Sequence, residues 1–245
     1  GINDLILGRA ELPMPENVAE KNMRQIRAAS KLIRRKQRQY ETQNLQFAEM
    51  REDAGLKEYL DRTTFINKDG EVCEFTDLQK HDLNLVLQKR YALLNWQQGS
   101  GKTAAVYHRA KYLLKFRKAK NVIILAPAIA TNMTWIPFLT INKERFRTIQ
   151  TAGDLNNIPE GTFLVVSTSM LRKLKRGLMR FVKRTSGKLC LVFDESDEIT
   201  NPTSQRTRNI LCIFRRLRYK ILDTGTTPRN NIAELYSQFE LLYNN

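Results

Sequence analysis

The spacing of hydrophobic and polar residues divides the chain into two parts. Between Glu16 and about Ala48, apolar residues recur at helical spacing among many lysines and arginines, which predicts a long basic helix. From about Glu71, short and almost continuously apolar runs alternate with amphipathic stretches. The apolar runs predict buried strands and the intervening stretches predict helices. The pattern therefore predicts an α/β fold, a parallel sheet with helices on both faces, preceded by a basic helical N-terminal segment.

The predicted strands are Tyr91–Asn95, Val122–Ala126, Phe163–Ser167, Leu189–Phe193 and Lys220–Asp223, with Thr148–Thr151 as a weaker candidate. The predicted helices between them are Thr103–Lys115, Ser169–Arg184 and Ser204–Arg216. In such a sheet, functional residues collect at the carboxyl ends of the strands. This places Gln98–Thr103, Pro127, Asp194-Glu195 and Thr224–Thr226 on one rim. We accordingly expect an N-terminal extension over residues 1–70 and an α/β lobe over residues 71–245.

The segment Tyr91–Leu114 predicts a strand, a glycine-containing loop and a helix in the order that a phosphate-binding loop requires. Backbone N–H groups of the loop would surround phosphate oxygens at the start of the helix. Lys102 would reach the β- and γ-phosphates of ATP, and the Thr103 hydroxyl would bind Mg²⁺. Trp96 stands where the motif usually has its first glycine. The predicted ATP-binding residues of this segment are Gln98, Gly99, Ser100, Gly101, Lys102 and Thr103.

Two further motifs follow predicted strands. In LCLVFDESDE, Asp194 is a candidate magnesium ligand and Glu195 a candidate base for the attacking water. An exposed acidic turn before a helix is the alternative interpretation of these carboxylates. In KILDTGTTPRNN, the hydroxyl groups of Thr224 and Thr226 could sense a γ-phosphate, although a simple Gly-Thr-Pro turn is also compatible.

The charge of the chain indicates a polyanionic partner. There are 41 lysines and arginines against 25 aspartates and glutamates, a net charge of +16. Such an excess most often accompanies nucleic acid binding, and less often binding to membrane surfaces or acidic proteins. The three cysteines show no C-x-x-C pattern, so neither a zinc site nor a disulfide framework is indicated. No signal peptide or membrane-spanning run is visible, and we expect an intracellular protein, in cytoplasm or nucleus or associated with a virus.

The order of these motifs resembles the first RecA-like motor lobe of superfamily two helicase-type ATPases, and within them the Swi/Snf-type translocases. The similarity covers about Glu71 to the C-terminus. Gln79 matches the glutamine motif, QQGSGKT the phosphate loop, and DESDE followed by Asn-Pro-x-Ser-Gln the acidic box and its continuation. The superfamily commonly lacks the first glycine of the loop, which accounts for Trp96. The segments APAIATNMTW, VSTSML and TGTTPRNN resemble the remaining motifs of the lobe.

The resemblance implies a DNA-dependent ATP hydrolase that uses ATP and Mg²⁺ and translocates on duplex DNA. It implies that Lys102 and Glu195 are catalytic, that Gln79 reads the adenine, and that Thr103 and Asp194 hold the metal. Nucleic acid contacts are implied for Thr131, Trp135, Ser167 and Thr168. Coupling of hydrolysis to movement is implied for Asp197, Thr224 and Thr226, with Asp197 in place of the usual histidine and an additional threonine in TGTTP.

Motors of this family hydrolyse ATP between two lobes, and the sequence contains no second lobe. We therefore expect a partner lobe, in the same or another chain, and slow hydrolysis by this lobe alone. A strand-separating helicase or a restriction-type motor is an alternative enzyme with the same motifs. A non-catalytic nucleic-acid-binding or assembly module with a vestigial ATP site is the non-enzymatic alternative.

Overall fold

The computed structural model describes residues 27, 29–31, 33–35, 37, 38, 41, 50–185, 187–225 and 235–243. The chain divides into two compact units, Gly1–Arg51 with Asn245, and Glu52–Asn244. In the first unit, the described residues between 27 and 41 are α-helical. The rest of the predicted helix Glu16–Ala48 lies outside the described residues.

A six-stranded parallel sheet forms the centre of the second unit. Its strands are β3 (Tyr91–Leu94), β4 (Asn121–Ala126), β5 (Phe146–Thr148), β6 (Phe163–Ser167), β7 (Leu189–Phe193) and β8 (Tyr219–Asp223). They lie in the order β3-β8-β7-β4-β6-β5, and the predicted parallel sheet is confirmed. The weaker candidate Thr148–Thr151 was placed too late in the chain. The strand ends at Thr148 because Thr151 caps a 3₁₀ turn over Ala152–Leu155, together with Asp154.

An antiparallel hairpin precedes the sheet in the chain, with strands β1 (Thr64–Ile66) and β2 (Val72–Glu74). The expected boundary between residues 70 and 71 falls in the turn of this hairpin, and the compact unit begins at Glu52. The helices of the described residues in this unit are α1 (Ala54–Asp61), α2 (Asp77–Leu87), α3 (Lys102–Lys115), α4 (Ile136–Ile141), α5 (Leu171–Arg184), α6 (Gln205–Phe214) and α7 (Tyr236–Leu242). A short α-helical turn (Ala128–Ala130) and a π-helical turn (Thr131–Trp135) lead directly into α4.

The strands bury alternate residues on opposite faces of the sheet, as the two-residue period of a strand requires. Val122 and Ile124 of β4 pack in one core with α2 and α3. Ile123 and Leu125 pack in a second core with α5 and α6. Helices thus cover both faces, as predicted. Within the described residues, no helix is both long and apolar enough to cross a membrane.

Helix α3 is fixed against the sheet by a buried arginine. The guanidinium of Arg109 donates hydrogen bonds to the carbonyl oxygens of Lys89 at 3.0 Å and Arg90 at 2.8 Å. These carbonyls lie immediately before β3. The arrangement holds α3 and β3, the two elements that flank the predicted phosphate loop, in one fixed relation.

Candidate active site

The predicted site residues meet at the carboxyl edge of the sheet. Strand β8 lies between β3 and β7, and Leu94 pairs with Asp223 while Phe193 pairs with Leu222. The ends of β3 and β7 are therefore two strand spacings apart, about 10 Å. The phosphate loop follows β3, and the Asp194-Glu195 pair follows β7, so segments more than 90 positions apart in the chain share one rim.

Two glycines give the loop its shape. Gly99 and Gly101 both have φ of +80°, a left-handed conformation that other residues rarely adopt. Between them, the backbone N–H and the hydroxyl of Ser100 both donate to the Gln97 carbonyl oxygen, at 3.2 and 2.6 Å. These contacts close a tight turn directly before α3 begins at Lys102. The two glycines thus form the tight turn that was predicted for a phosphate-binding loop.

The loop is attached to α2 by two side-chain hydrogen bonds. The amide nitrogen of Gln79 donates to the Ser100 carbonyl oxygen at 2.8 Å, and its amide oxygen accepts from the Thr76 N–H at 2.8 Å. The Trp96 indole donates to Asp82 Oδ2 at 2.8 Å. In this structure the Gln79 amide therefore links the cap of α2 to the loop. The role of Gln79 towards adenine stays a prediction.

The Lys102 ammonium group lies between the loop and the end of β8. It donates to the carbonyl oxygens of Trp96 at 3.2 Å and Gln97 at 3.1 Å. A Cβ atom at position 225 would lie 3.2 Å from Lys102 Nζ, so Gly225 leaves the space that the ammonium group occupies. Neutral carbonyl oxygens bind an ammonium group more weakly than phosphate oxygens, because a charged acceptor strengthens the hydrogen bond. Lys102 is therefore placed to exchange these partners for a phosphate group.

Asp194 is buried and is bound by a residue from a distant segment. The Trp135 indole N–H donates to Asp194 Oδ2 at 2.6 Å, and the carboxylate side chain lies on the same face of the sheet as α3. A hydrogen bond to one carboxylate oxygen fixes the orientation of the whole group. Trp135 thus determines how Asp194 is presented at the rim.

A second buried acid, Asp223, is the last residue of β8 and was not among the predicted site residues. Burial, and secondly the neighbouring Asp194 carboxylate, raise the pKa of Asp223 well above its ordinary value. A proton on Asp223 allows its carboxyl group to donate a hydrogen bond to Asp194. Without that proton, its two buried oxygens have no donor among the described residues. A signal was available in the sequence, because Asp223 ends an apolar strand just as Asp194 follows one.

Glu195 has both the backbone and the electrostatic features of a functional residue. Its φ is +54°, a strained conformation that costs a non-glycine residue on the order of 1 kcal/mol. Burial raises the pKa of Glu195, as do the neighbouring carboxylates of Asp194 and Asp197, against the opposing charge of Lys102. A carboxylate with a raised pKa is a stronger base at neutral pH. These features support a proton-accepting role.

The structure describes two of the three predicted coupling residues, Asp197 and Thr224. Asp197 lies in a 3₁₀ turn over Ser196–Ile199, directly after Glu195. Thr224 is buried after β8, and its N–H donates to the Leu94 carbonyl oxygen at 3.2 Å. Thr226 lies outside the described residues. The coupling role of these residues stays a prediction.

The predicted nucleic acid contacts require a correction. Trp135 is fully buried, which leaves no surface for a nucleic acid, so that prediction was wrong for this side chain. The π-helical turn directs the indole inward to Asp194, while Ile129 and Met133 of the same composite helix are 79% and 76% exposed. Thr131 and Thr168 are also buried. Ser167, whose hydroxyl lies 2.8 Å from that of Ser169, is partly exposed at the end of β6.

The described residues contain no group of three or more His, Cys, Asp and Glu side chains that could hold a metal ion by themselves. Magnesium is usually held by one or two carboxylates together with phosphate oxygens and water. Thr103, in the first turn of α3, and Asp194 are the side chains that could hold it.

A parallel sheet with a lysine-bearing phosphate loop and an Asp-Glu pair on one rim is typical of the P-loop class of nucleoside triphosphatases. Residues 24–229 match the family model described as "Type III restriction enzyme, res subunit". Since this match covers most of the chain, the chain belongs to that family.

One curated relative and two solved structures that the chain resembles are also helicases or ATPase cores. The chain is 27% identical to the ATP-dependent helicase FUN30 of Saccharomyces cerevisiae, over 66% of this chain and 15% of that protein. The SWI2/SNF2 ATPase core of Sulfolobus solfataricus in complex with dsDNA matches with a TM-score of 0.54 and 16% identity, over 73% of this chain and 36% of that one. The UvsW helicase from bacteriophage T4 matches with a TM-score of 0.52 and 15% identity, over 77% and 64%.

These comparisons confirm the predicted resemblance to the Swi/Snf-type ATPases and the RecA-like α/β fold. The chain spans about one seventh of FUN30 and about a third of the Sulfolobus ATPase core. The family comprises helicase-type ATPases, so the use of ATP follows from membership.

Proposed function

We propose that the chain is the ATP-binding lobe of a nucleic-acid-dependent ATPase that translocates on duplex DNA. The observation that carries this proposal is the position of Lys102 beside Gly225, on the rim that also presents Asp194 and Glu195. Phosphoryl transfer needs positioned positive charge and an oriented nucleophile, and the residues for both are gathered here. Membership of a helicase-type family supports the same function.

In this proposal, Lys102 and the N–H groups of the loop bind the phosphates, while Thr103 and Asp194 hold Mg²⁺. The metal, when bound, would neutralise charge that develops on the phosphate oxygens. Glu195 accepts a proton from the attacking water, for which its raised pKa suits it. Trp135 and Asp223 both act on Asp194, one through an indole N–H and the other through a carboxyl proton.

A second RecA-like lobe, in the same or another chain, would complete the ATP cleft and the nucleic acid track. Arginines supplied from a second element contribute roughly a thousandfold or more in related phosphoryl transfer. We therefore expect this lobe alone to bind ATP but to hydrolyse it slowly. Because its proposed partner is nucleic acid, we also propose an intracellular setting for the protein.

The test is the ATPase rate of a protein that contains both lobes, with and without duplex DNA. Strong stimulation by duplex DNA supports a motor, whereas DNA binding that is indifferent to ATP would support a non-catalytic module instead. Displacement of a third strand from a DNA triplex, without separation of the duplex, distinguishes a duplex translocase from a strand-separating helicase.

The indole of Trp135 provides a sharper test of the metal site. Trp135→Phe keeps an aromatic ring in the core but removes the N–H donor of Asp194, and removing such a supporting hydrogen bond typically costs about 10- to 100-fold in metal affinity or activity. We expect the Mg²⁺ concentration for half-maximal ATPase to rise by about this factor. The magnesium titration is the measurement.

Tyr107→Phe is the matched control, because it also removes a side-chain hydrogen bond to a carboxylate, but one that the Tyr107 hydroxyl donates to Glu144, outside the phosphate loop. It should leave the magnesium dependence unchanged. Equal shifts in both variants, or no shift in either, would show that Trp135 does not position Asp194.

A further inference from the structure

Helix α5 presents an outer face that is rich in cationic side chains. Its 14 residues, LRKLKRGLMRFVKR, contain no Asp or Glu. The lysines and arginines are Arg172, Lys173, Lys175, Arg176, Arg180, Lys183 and Arg184. All of them except Lys175 are exposed, and Lys175 is partly exposed. We refer to these seven residues as the α5 cationic face.

The helix beneath this face is held firmly against the sheet. Leu171, Leu174, Leu178 and Phe181 are buried in the core that includes Ile123 and Leu125. Gly177 allows close packing, since a Cβ atom there would lie 3.0 Å from Ala152 Cβ. The cationic side chains are therefore displayed from a rigid support.

The charges of the α5 cationic face are not neutralised within the described part of the chain. None of the ion pairs formed between described residues involves an α5 side chain. Arg184 alone has an evident structural role, because it donates to the Leu155 carbonyl oxygen at 2.9 Å and lies over the Phe181 ring. Like charges four residues apart destabilise a helix by a few tenths of a kcal/mol per pair. Arg172, Arg176 and Arg180 follow this spacing, so the cluster is a cost to stability that an external polyanion would offset.

The spacing of the charges fits an extended polyanion. Residues four apart on a helix are separated by about 6 Å along its axis, and Arg172 to Arg184 span about 18 Å. Duplex DNA carries one phosphate per about 3.4 Å of axis on each strand. A row of this length can therefore contact several phosphates of one strand.

The apolar residues of α5 argue against a membrane as the partner. A helix that lies in a lipid interface directs its leucines and phenylalanines into the lipid. In α5 these residues are buried against the sheet, and Met179, 41% exposed, is the large apolar side chain on the outer side. The outer face offers charge and little apolar surface.

The position of α5 separates it from the ATP site. The helix begins after a short 3₁₀ turn, Thr168–Met170, at the carboxyl end of β6, on the rim where nucleic acid contacts were predicted. It then packs on the opposite face of the sheet from α3. Its charges thus extend from the rim over the face of the sheet opposite to α3.

We propose that the α5 cationic face is an auxiliary nucleic-acid-binding surface that grips the phosphate backbone of duplex DNA irrespective of base sequence and of bound nucleotide. This inference rests on the proposed function, from which it takes nucleic acid as the partner. Contacts to phosphates position a protein on the duplex without reading its sequence. Phosphate contacts of this kind would keep the lobe bound to DNA while the products of ATP hydrolysis are replaced by new ATP.

The test uses the full chain with Arg172→Gln, Arg176→Gln and Arg180→Gln combined, since glutamine preserves helix propensity. Affinity for fluorescently labelled duplex DNA of random sequence is measured by anisotropy over a series of salt concentrations. Each lost phosphate contact should reduce the slope of log K against log salt by about 0.9, so the triple variant should lose between two and three units of slope. The affinity at low salt should fall by at least about tenfold. ATP binding should be unchanged, and both effects should be the same with and without nucleotide.

A triple variant with Lys57→Gln, Lys68→Gln and Arg90→Gln is the matched control, because it removes the same charge from exposed positions outside α5. The proposal is overturned if this control loses as much slope as the α5 variant, or if the α5 variant keeps the full slope. It is also overturned if the α5 variant loses binding to vesicles rich in phosphatidylserine but not to DNA. Failure of the wild-type chain to bind DNA at all would instead contradict the proposed function.

Discussion

Replacement of Lys102 by alanine is expected to weaken ATP binding by the lobe severely. The ammonium group is the one cation that the structure places between the phosphate loop and Gly225, within the described residues. Charge-assisted hydrogen bonds contribute about 1.5–3 kcal/mol each, so the loss of contacts to two phosphates weakens binding by roughly a hundredfold or more. Fluorescence titration with a labelled ATP analogue measures the effect.

Lys115→Ala is the matched control for this variant. Lys115 belongs to the same helix, α3, and lies about 20 Å along the axis from Lys102. Its ammonium group is over the Tyr59 ring, away from the loop. Lys115→Ala should bind ATP normally, whereas normal binding by Lys102→Ala would remove the loop from its assigned role.

Replacement of Glu195 by glutamine is expected to block turnover but to retain ATP binding. Glutamine has the same shape but cannot accept the proton, and a positioned general base contributes about 10²- to 10⁴-fold to a rate. We expect kcat of a protein containing both lobes to fall within this range, with the dissociation constant for ATP unchanged. Steady-state hydrolysis and equilibrium nucleotide binding, measured on the same preparation, provide the two values.

Glu198→Gln tests whether the position of the carboxylate matters rather than the charge of the acidic turn. Glu198 lies three residues further along and pairs with Arg206 at 3.0 Å. Its replacement removes the same charge and should leave kcat nearly unchanged. Normal turnover by Glu195→Gln would exclude Glu195 as the base.

Much of the fold was predictable because strands in the interior of a parallel sheet are apolar over their whole length. The runs around Ile123, Val165 and Val192 could only be buried on both faces, and the structure places them in the middle of the sheet. Shorter elements were missed. Helix α1 depends on the Asp53 side chain, which accepts from the Leu56 N–H at 2.8 Å, and the three-residue strands β1 and β2 are too short to show a period.

The candidate site was only partly predictable from the sequence, because some of its residues act through contacts with distant parts of the chain. The loop around Gly99 and Gly101 and the acids after β7 are local patterns with local chemistry. The roles of Trp135 and Asp223 arise from contacts with Asp194, which lies 59 and 29 positions away. No periodicity in the sequence reports such a contact. The resemblance alone implied a nucleic acid contact for Trp135, whereas the π-helical turn directs its side chain into the core.

The amino-acid sequence by itself determined which segments form the sheet, which loop can bind phosphate and which carboxylates follow a buried strand, because these properties depend on neighbours in the chain. Only the tertiary structure decided the order of the strands, the insertion of β8 between β3 and β7, and the hydrogen bond from Trp135 to Asp194. It also decided that α5 packs on the opposite face of the sheet from α3, with Gly177 close to Ala152. These features depend on how distant segments pack, and burial and hydrogen bonding select one arrangement among many that the same local patterns allow.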